Sequence, residues 1–387
     1  MNDATVLVVA TLETKAEETD FLIHRLGTHG VGAHVVDVSL ASNGIVLDGR
    51  EKLVRMDQVV AEAIQSVTEC LRTAGNAVLG LGGGTGGEMA MRIMRALPIT
   101  FPKVLVTTLP FDPRIAVADS SIILVPTLAD ICGLNPTLRE VLENVAAMTA
   151  GLCATRRQAG ACTENPSIGI TALGATESAV AALVGRFKRR GQESTVFHSN
   201  GYGGAAFARF ARRGAFHAII DLTPHELTRL HVAGAHVPMP DRFTAGSGLP
   251  RIVLPGAVNF VGLGEKPLIP QEYLDRPHYE HSGFFTHAKL KPSEMQAVAG
   301  QLASELNSVD GPCALIVPMG GFSHQDFPGG AIEDPVLREL FLGRVKERLS
   351  PRVRLVALDA HISAPEVTEA VVATLDDFMD ARRGART

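Results

Sequence analysis

Residues 80–87 read Gly80-Leu81-Gly82-Gly83-Gly84-Thr85-Gly86-Gly87, six glycines in eight positions. An apolar run, Asn76-Ala77-Val78-Leu79, precedes them, and a helix-compatible stretch, residues 88–95, follows. Strand, glycines, helix is the order that aims backbone N–H groups and a helix N-terminus at an anion. Glycine places no Cβ where a ligand approaches, and it admits φ > 0. A phosphate or carboxylate is therefore expected here. The segment matches neither familiar fingerprint well. Glu88 and Met89 follow Gly87 where a Walker loop needs Lys and then Ser or Thr, and the G-x-G-x-x-G frame of Gly82, Gly84 and Gly87 is nearly automatic in so glycine-rich a run. The alternative is a tight turn without a ligand. Glu88 favours it, since a carboxylate repels phosphate unless it turns away or meets a metal.

Outward from this segment, the first half of the chain alternates strand and helix patterns. Strands are expected at residues 5–10, 33–38, 78–79, 104–107 and 122–125, with helices at 15–29, 51–73 and 137–151. Strands spaced by helices imply a parallel, doubly wound sheet. Its ligands lie beyond the C-terminal ends of the strands, where residues 11–15, 82–87 and 107–112 form polar clusters. Residues 160–166, polar and without periodicity, read as a linker. A second α/β pattern follows: strands at 167–172, 194–197 and 218–220, a helix at 176–190, and a second glycine turn running from His198 to Gly204. The expected fold class is α/β, two Rossmann-like doubly wound domains with a cleft between them. The N-terminal domain spans residues 1–160 and the C-terminal domain residues 167–387. Residues 232–292, rich in Pro, Gly and His, are expected to form irregular loops over that cleft.

With 387 residues the chain is long enough for two cores. Its net charge of −5 gives no general attraction for nucleic acid or a membrane surface, and with no Trp and 5% aromatics it is poorly supplied with stacking platforms. No apolar stretch approaches a membrane span, and no targeting segment is visible. Five scattered cysteines without a C-x-x-C pair fit a reducing cytoplasm and argue against structural zinc. The partner this composition implies is a small anionic ligand.

Ten of the thirteen histidines lie from His198 onward. His278 and His281 form an H-x-x-H pair that can bind a divalent metal, yet Pro277 denies it a helix to set both rings on one face, and the spacing matches no recognised site, so no metal ligand is assigned. Surface histidines are the plainer alternative. General acid/base chemistry needs only a histidine and a carboxylate; the candidates are His281 and His361 with Glu226 and Asp326. Asp221 and Asp359, at strand ends, are equally well explained as helix N-caps. Cys313 reads as core.

The glycine segment, with residues 96–99 and Pro102-Lys103-Val104, resembles the ATP-binding domain family named for the tomato mosaic virus resistance protein. Similar motifs recur at Thr11-Leu12-Glu13-Thr14-Lys15, residues 130–135, Phe197-His198 with Gly201, Gly203 and Gly204, Asp221-Leu222-Thr223 with Glu226, Pro255-Gly256-Ala257, Tyr279 with His281, Pro318 with Gly320 and Ser323, and His361-Ile362. The resemblance implies two Rossmann-like domains, an ATP site in the first and a homodimer. The chain departs from the family pattern at Ala10, Glu13 and the 109–114 loop, and in the second domain at Asn259, Ser282 and Ser363.

Three readings follow. In the first, the protein binds a nucleotide: Gly82, Gly83, Gly84, Thr85 and Gly86 hold phosphates, Lys15 beside Thr11 neutralises charge, Thr107 and Thr108 donate hydrogen bonds, and Gly201, Gly203 and Gly204 add a second turn. In the second it is a hydrolase or lyase whose substrate carboxylate or phosphate sits on the glycine turns, with His281, His361, Glu226 and Asp326 as acid/base groups or with a divalent metal. In the third it is a protein-binding module without chemistry.

Overall fold

Five parallel strands, in the spatial order Gly32–Asp37, Thr5–Ala10, Gly75–Leu81, Lys103–Thr107 and Ile122–Pro126, build the first sheet, and six, in the order Val353–Leu358, Cys313–Pro318, Arg251–Val253, Phe216–Asp221, Ser167–Ala172 and Ser194–His198, build the second. The computed structural model describes residues 4–41, 45–73, 75–110, 112–158 and 166–384. The chain divides into two compact units, Met1–Thr163 and Glu164–Thr387. The expected linker at 160–166 lies, apart from Pro166, outside the described residues.

In the first unit the elements run β1 (Thr5–Ala10), α1 (Leu12–Thr28), β2 (Gly32–Asp37), α2 (Gly49–Thr73), β3 (Gly75–Leu81), α3 (Gly84–Ala96), β4 (Lys103–Thr107), α4 (Pro113–Val117), β5 (Ile122–Pro126) and α5 (Pro136–Gln158). Alternation along β1 sends Val6 and Val8 into a core with Leu22 of α1 and Leu142 of α5, while Leu7 and Val9 pack on Val60 of α2 and Ile93 of α3. Both faces are covered, as a parallel sheet requires. This is the doubly wound arrangement expected.

The second unit follows the same logic: β6 (Ser167–Ala172), α6 (Glu177–Arg189), β7 (Ser194–His198), α7 (Gly203–Arg212), β8 (Phe216–Asp221), α8 (Glu226–His231), β9 (Arg251–Val253), β10 (Phe260–Leu263), α9 (Gln271–Leu274), β11 (His278–Ser282), β12 (Phe285–Lys289), α10 (Pro292–Asn307), β13 (Cys313–Pro318), α11 (Pro335–Arg348), β14 (Val353–Leu358) and α12 (Pro365–Gly384). Here the reading of residues 232–292 as irregular loops is corrected. They contain β9, an inner strand of the six-stranded sheet, and a separate antiparallel sheet of order β10-β12-β11. Strands of three to five residues carry too few alternations to register as period-2 signals. Cys313, the first residue of β13, is buried in the core as expected, and burial pushes its thiol up to about 11.

Candidate functional site

The glycine segment is not a loop. Gly80 and Leu81 finish β3, and Gly84–Gly87 are already the first turn of α3, so Gly82 and Gly83 alone make the connection. None of the six glycines has positive φ. They are required for close approach instead: a Cβ on Gly82 would stand 2.5 Å from the backbone of Gly86 and Gly87, and one on Gly87 would stand 2.9 Å from the Gly82 carbonyl oxygen. Gly84, by contrast, has nothing within 4 Å of where its Cβ would be. The strand–helix crossing consumes Gly82 and Gly87 and leaves Gly84 bare toward open space.

Open space there is a cavity of about 480 Å³, lined by Thr11, Glu13, Thr14 and Lys15 from the start of α1, Leu40 and residues 45–47 after β2, Lys52 of α2, Gly83–Gly86 and Asp130. The order β2-β1-β3-β4-β5 changes winding direction between β1 and β3, the place where such sheets bind ligands. Two helices begin there. At α1 the first N–H groups are already taken, Leu12 by Asp37 Oδ1 at 3.1 Å and Glu13 by Ser39 Oγ at 3.0 Å. Partial burial acts to raise the Asp37 pKa, but hydrogen bonds from the Ser39 hydroxyl and the Leu12 and Ser39 N–H groups outweigh it and hold the carboxyl below its ordinary value. At α3 the N-cap, Gly83, has no side chain to cap with, and the N–H groups of Gly84, Thr85 and Gly86 bond to no described residue. The sheet therefore presents one closed and one open helix N-terminus to the cavity.

Lys15 interrupts α1 with φ −130° and ψ 25°, and its Nζ reaches the Thr14 carbonyl at 3.3 Å. Lys52 supplies a second cation and Glu13 and Asp130 two carboxylates, while Leu40, Ile45, Val46 and Leu47 form an apolar wall. A second cavity of about 400 Å³ is lined by Thr108, residues 126–129 and Asp130, so Asp130 borders both.

Of the nucleotide-site residues expected in this unit, Thr11, Lys15, Gly83, Gly84, Thr85 and Gly86 line the first cavity and Thr108 the second. Gly82 and Thr107 are buried behind them; Thr107 Oγ1 accepts the Leu109 N–H at 3.3 Å. Sequence reasoning did not assign Lys52, Asp130 or the apolar wall. Asp130 opens the motif of residues 130–135, whereas Lys52 is one charge among many on an amphipathic helix.

In the second unit, three N–H groups of the glycine turn are already taken. Asn200 Oδ1 accepts the N–H groups of Tyr202 and Gly203, and Glu226 Oε1 accepts that of Gly204. Gly201 adopts φ +91°, where a side chain is strained. Glu226 is fully buried, and its other oxygen pairs with Arg242, which also forks onto Asp221. Burial, with the Asp221 charge adding to it and Arg242 opposing, leaves Glu226 above its ordinary pKa. Asp221, pushed up by burial but held by Arg242 and Thr171, falls below its own. Asp221 is thus an ion-pair partner and not the helix cap considered from sequence. Asp326, 1% exposed, pairs with Arg338 and accepts the Phe322 N–H at 2.8 Å.

His361 has both ring nitrogens engaged: Nδ1 accepts the Ser363 N–H at 3.2 Å, so Nε2 carries the proton it donates to the Ser323 carbonyl at 3.1 Å. His281 is exposed on β11 and stacks on His287, centroids 5.0 Å apart; His287 stacks in turn on Phe260 at 4.1 Å and meets the Tyr279 hydroxyl at 2.7 Å. Burial, with the neighbouring His281 and Arg229, lowers the His287 pKa to about 3. Among the described residues no group of three His, Cys, Asp or Glu side chains is placed to hold a metal ion, and no helix is long and apolar enough to cross a membrane.

Residues 4–158 match the profile of the Uncharacterised protein family (UPF0261) N-terminal domain, and residues 165–379 that of the UPF0261 C-terminal domain. A UPF0261 protein of Mesorhizobium japonicum is 31% identical over 96% of this chain and 98% of its own length. Another, from Clostridium tetani, is 27% identical over 97% and 99%. The ToMV resistance protein Tm-1(GCR237) of Solanum lycopersicum is 29% identical over 78% of this chain and 41% of its own length. The similarity to the tomato protein seen in the motifs is thus found over most of the chain, within a family whose description names no activity.

Proposed function

This chain belongs to the Uncharacterised protein family (UPF0261), and from that premise we propose that its first unit binds a nucleotide, ATP, across the carboxyl ends of β1 and β3. The observation that carries the reading is the open N-terminus of α3 beside Lys15 and Lys52. Free N–H groups and the helix dipole favour a phosphate there, and the lysines neutralise its charge. The wall from Leu40 to Leu47 suits a flat apolar base. Glu13 and Asp130 give the same cavity carboxylates for a divalent cation, which is ordinarily held by one or two carboxylates together with phosphate oxygens.

The acid/base reading draws less support. Glu226 and Asp326 are locked in buried ion pairs, and both His361 nitrogens are engaged within the second unit. Of the four acid/base candidates, this leaves the exposed His281.

Calorimetric titration with ATP and magnesium tests the proposal. Saturable binding is expected in the wild type and binding weakened roughly tenfold or more in Lys15→Ala, the loss of one charge-assisted contact. Absence of both heat and thermal shift overturns it.

A further inference from the structure

The second sheet also reverses its winding, between β6 and β8, and its carboxyl edge carries side chains that the nucleotide reading leaves unused. Asn259 is 2% exposed, yet neither Oδ1 nor Nδ2 has a hydrogen-bond partner among the described residues. Ser323, fully buried, has an unpartnered Oγ. Buried amides and hydroxyls are almost always satisfied, so two such residues call for a reason.

Backbone hydrogen bonds bring the segments that carry them together. The His324 N–H bonds the Ala175 carbonyl at 2.7 Å, which sets Ser323 beside the end of β6. The Ala257 N–H bonds the Phe322 carbonyl at 2.9 Å, and Ala257 packs with Ala175 and Tyr279 two residues before Asn259. The β11–β12 sheet then brings His281 over Gly174, its Nε2 3.1 Å from where a Cβ would stand. Gly174 and Ala175 have N–H groups that bond no described residue. All of these groups can donate a hydrogen bond.

The buried carboxylates of this unit, Asp221, Glu226 and Asp326, are paired with Arg242 and Arg338. The donors named are neutral, and Arg229, whose charge reaches His287, donates Nη1 to the Ala235 carbonyl at 3.0 Å; such a set suits a singly charged carboxylate better than a phosphate dianion, which asks for direct cations. We infer that the second unit holds its own site for a small carboxylate, bound by Asn259, Ser323, His281 and the backbone of Gly174 and Ala175.

This inference does not rest on the nucleotide reading, and the test separates them. Acetate, malonate and pyruvate are each titrated into the full-length protein by thermal shift and calorimetry, with inorganic phosphate as the contrast. At least one carboxylate is expected to bind and phosphate to fail here. Binding should weaken roughly tenfold in Ser323→Ala and His281→Ala, the loss of one hydrogen bond to a charged group, and persist in Lys15→Ala, which reads the nucleotide site alone. Asn259→Leu should abolish the carboxylate shift while raising the unliganded midpoint by about 2–4 °C, because it removes two unsatisfied buried atoms. No shift with any of the three carboxylates, phosphate binding that Ser323→Ala weakens while the carboxylates fail, or carboxylate affinity unchanged in both Ser323→Ala and His281→Ala overturns the proposal.

Discussion

Gly82 and Gly84 stand two residues apart and do different work. Gly82 lets the first turn of α3 fall against the end of β3, and a methyl group there would meet backbone at 2.5 Å. Gly82→Ala is expected to destabilise by about 1–3 kcal/mol through overpacking, read by urea unfolding. A methyl at Gly84 meets nothing within 4 Å. Gly84→Ala should leave stability unchanged or raise it by up to about 1 kcal/mol. The same variant should weaken nucleotide binding, because its Cβ fills the approach to the free N–H groups. Equal effects of the two alanines on stability would contradict this division. From sequence the run announced an anion site but not which glycines are structural, since that depends on what faces each missing Cβ.

Among elements, the contrast between α1 and α3 governs the first unit. Asp37 closes the N-terminus of α1 through Leu12 and, by way of Ser39, through Glu13. Asp37→Ala is expected to cost about 1–2 kcal/mol, the usual loss for a helix-end acceptor. It should also lower nucleotide affinity without touching the cavity, because Thr11, Thr14 and Lys15 ride on that turn; calorimetry on the folded variant checks this. In the second unit the element-scale decision is the junction of α7 and α8, where Arg242 bridges Asp221 and Glu226. Breaking a buried pair leaves a stranded charge, so Arg242→Ala should cost about 3–5 kcal/mol in chemical denaturation. Sequence showed these carboxylates as candidates for chemistry. Arg242, well after both in sequence and within the stretch that read as irregular, carried no signal of pairing with them.

For the whole molecule, each unit has its own hydrophobic cores and its own reversal of winding. Histidine burial gives the second unit a characteristic response to acid. His287 titrates near 3 when folded and near 6.5 when unfolded, so below pH 6.5 the unfolded chain binds the proton that the folded chain refuses. Stability is therefore full above pH 6.5 and falls as pH drops toward 3. Between pH 6.5 and 5 this one group removes roughly 2 kcal/mol. His225, lowered well below its ordinary value by burial and by Arg229, adds a slope of the same sign. Denaturant titrations at pH 7 and pH 5 should show the loss, and His287→Phe should flatten it in part. An unchanged slope in that variant would assign the acid sensitivity elsewhere.

What the sequence determined by itself was the class of fold. Alternating strand and helix periods, with polar clusters at strand ends, dictate a doubly wound α/β chain, because those patterns are local and repeat many times. The carboxyl edge of the first sheet and its glycine turn were legible for the same reason. Only the tertiary structure decided which polar groups are spoken for. It consumed the second glycine turn in the caps of Asn200 and Glu226, sealed Asp326 against Arg338, and built a small sheet from residues that read as loop. It left free the N–H groups of α3 and, at the second edge, Asn259 and Ser323. Whether a donor is available depends on partners distant in sequence, and no local pattern records them.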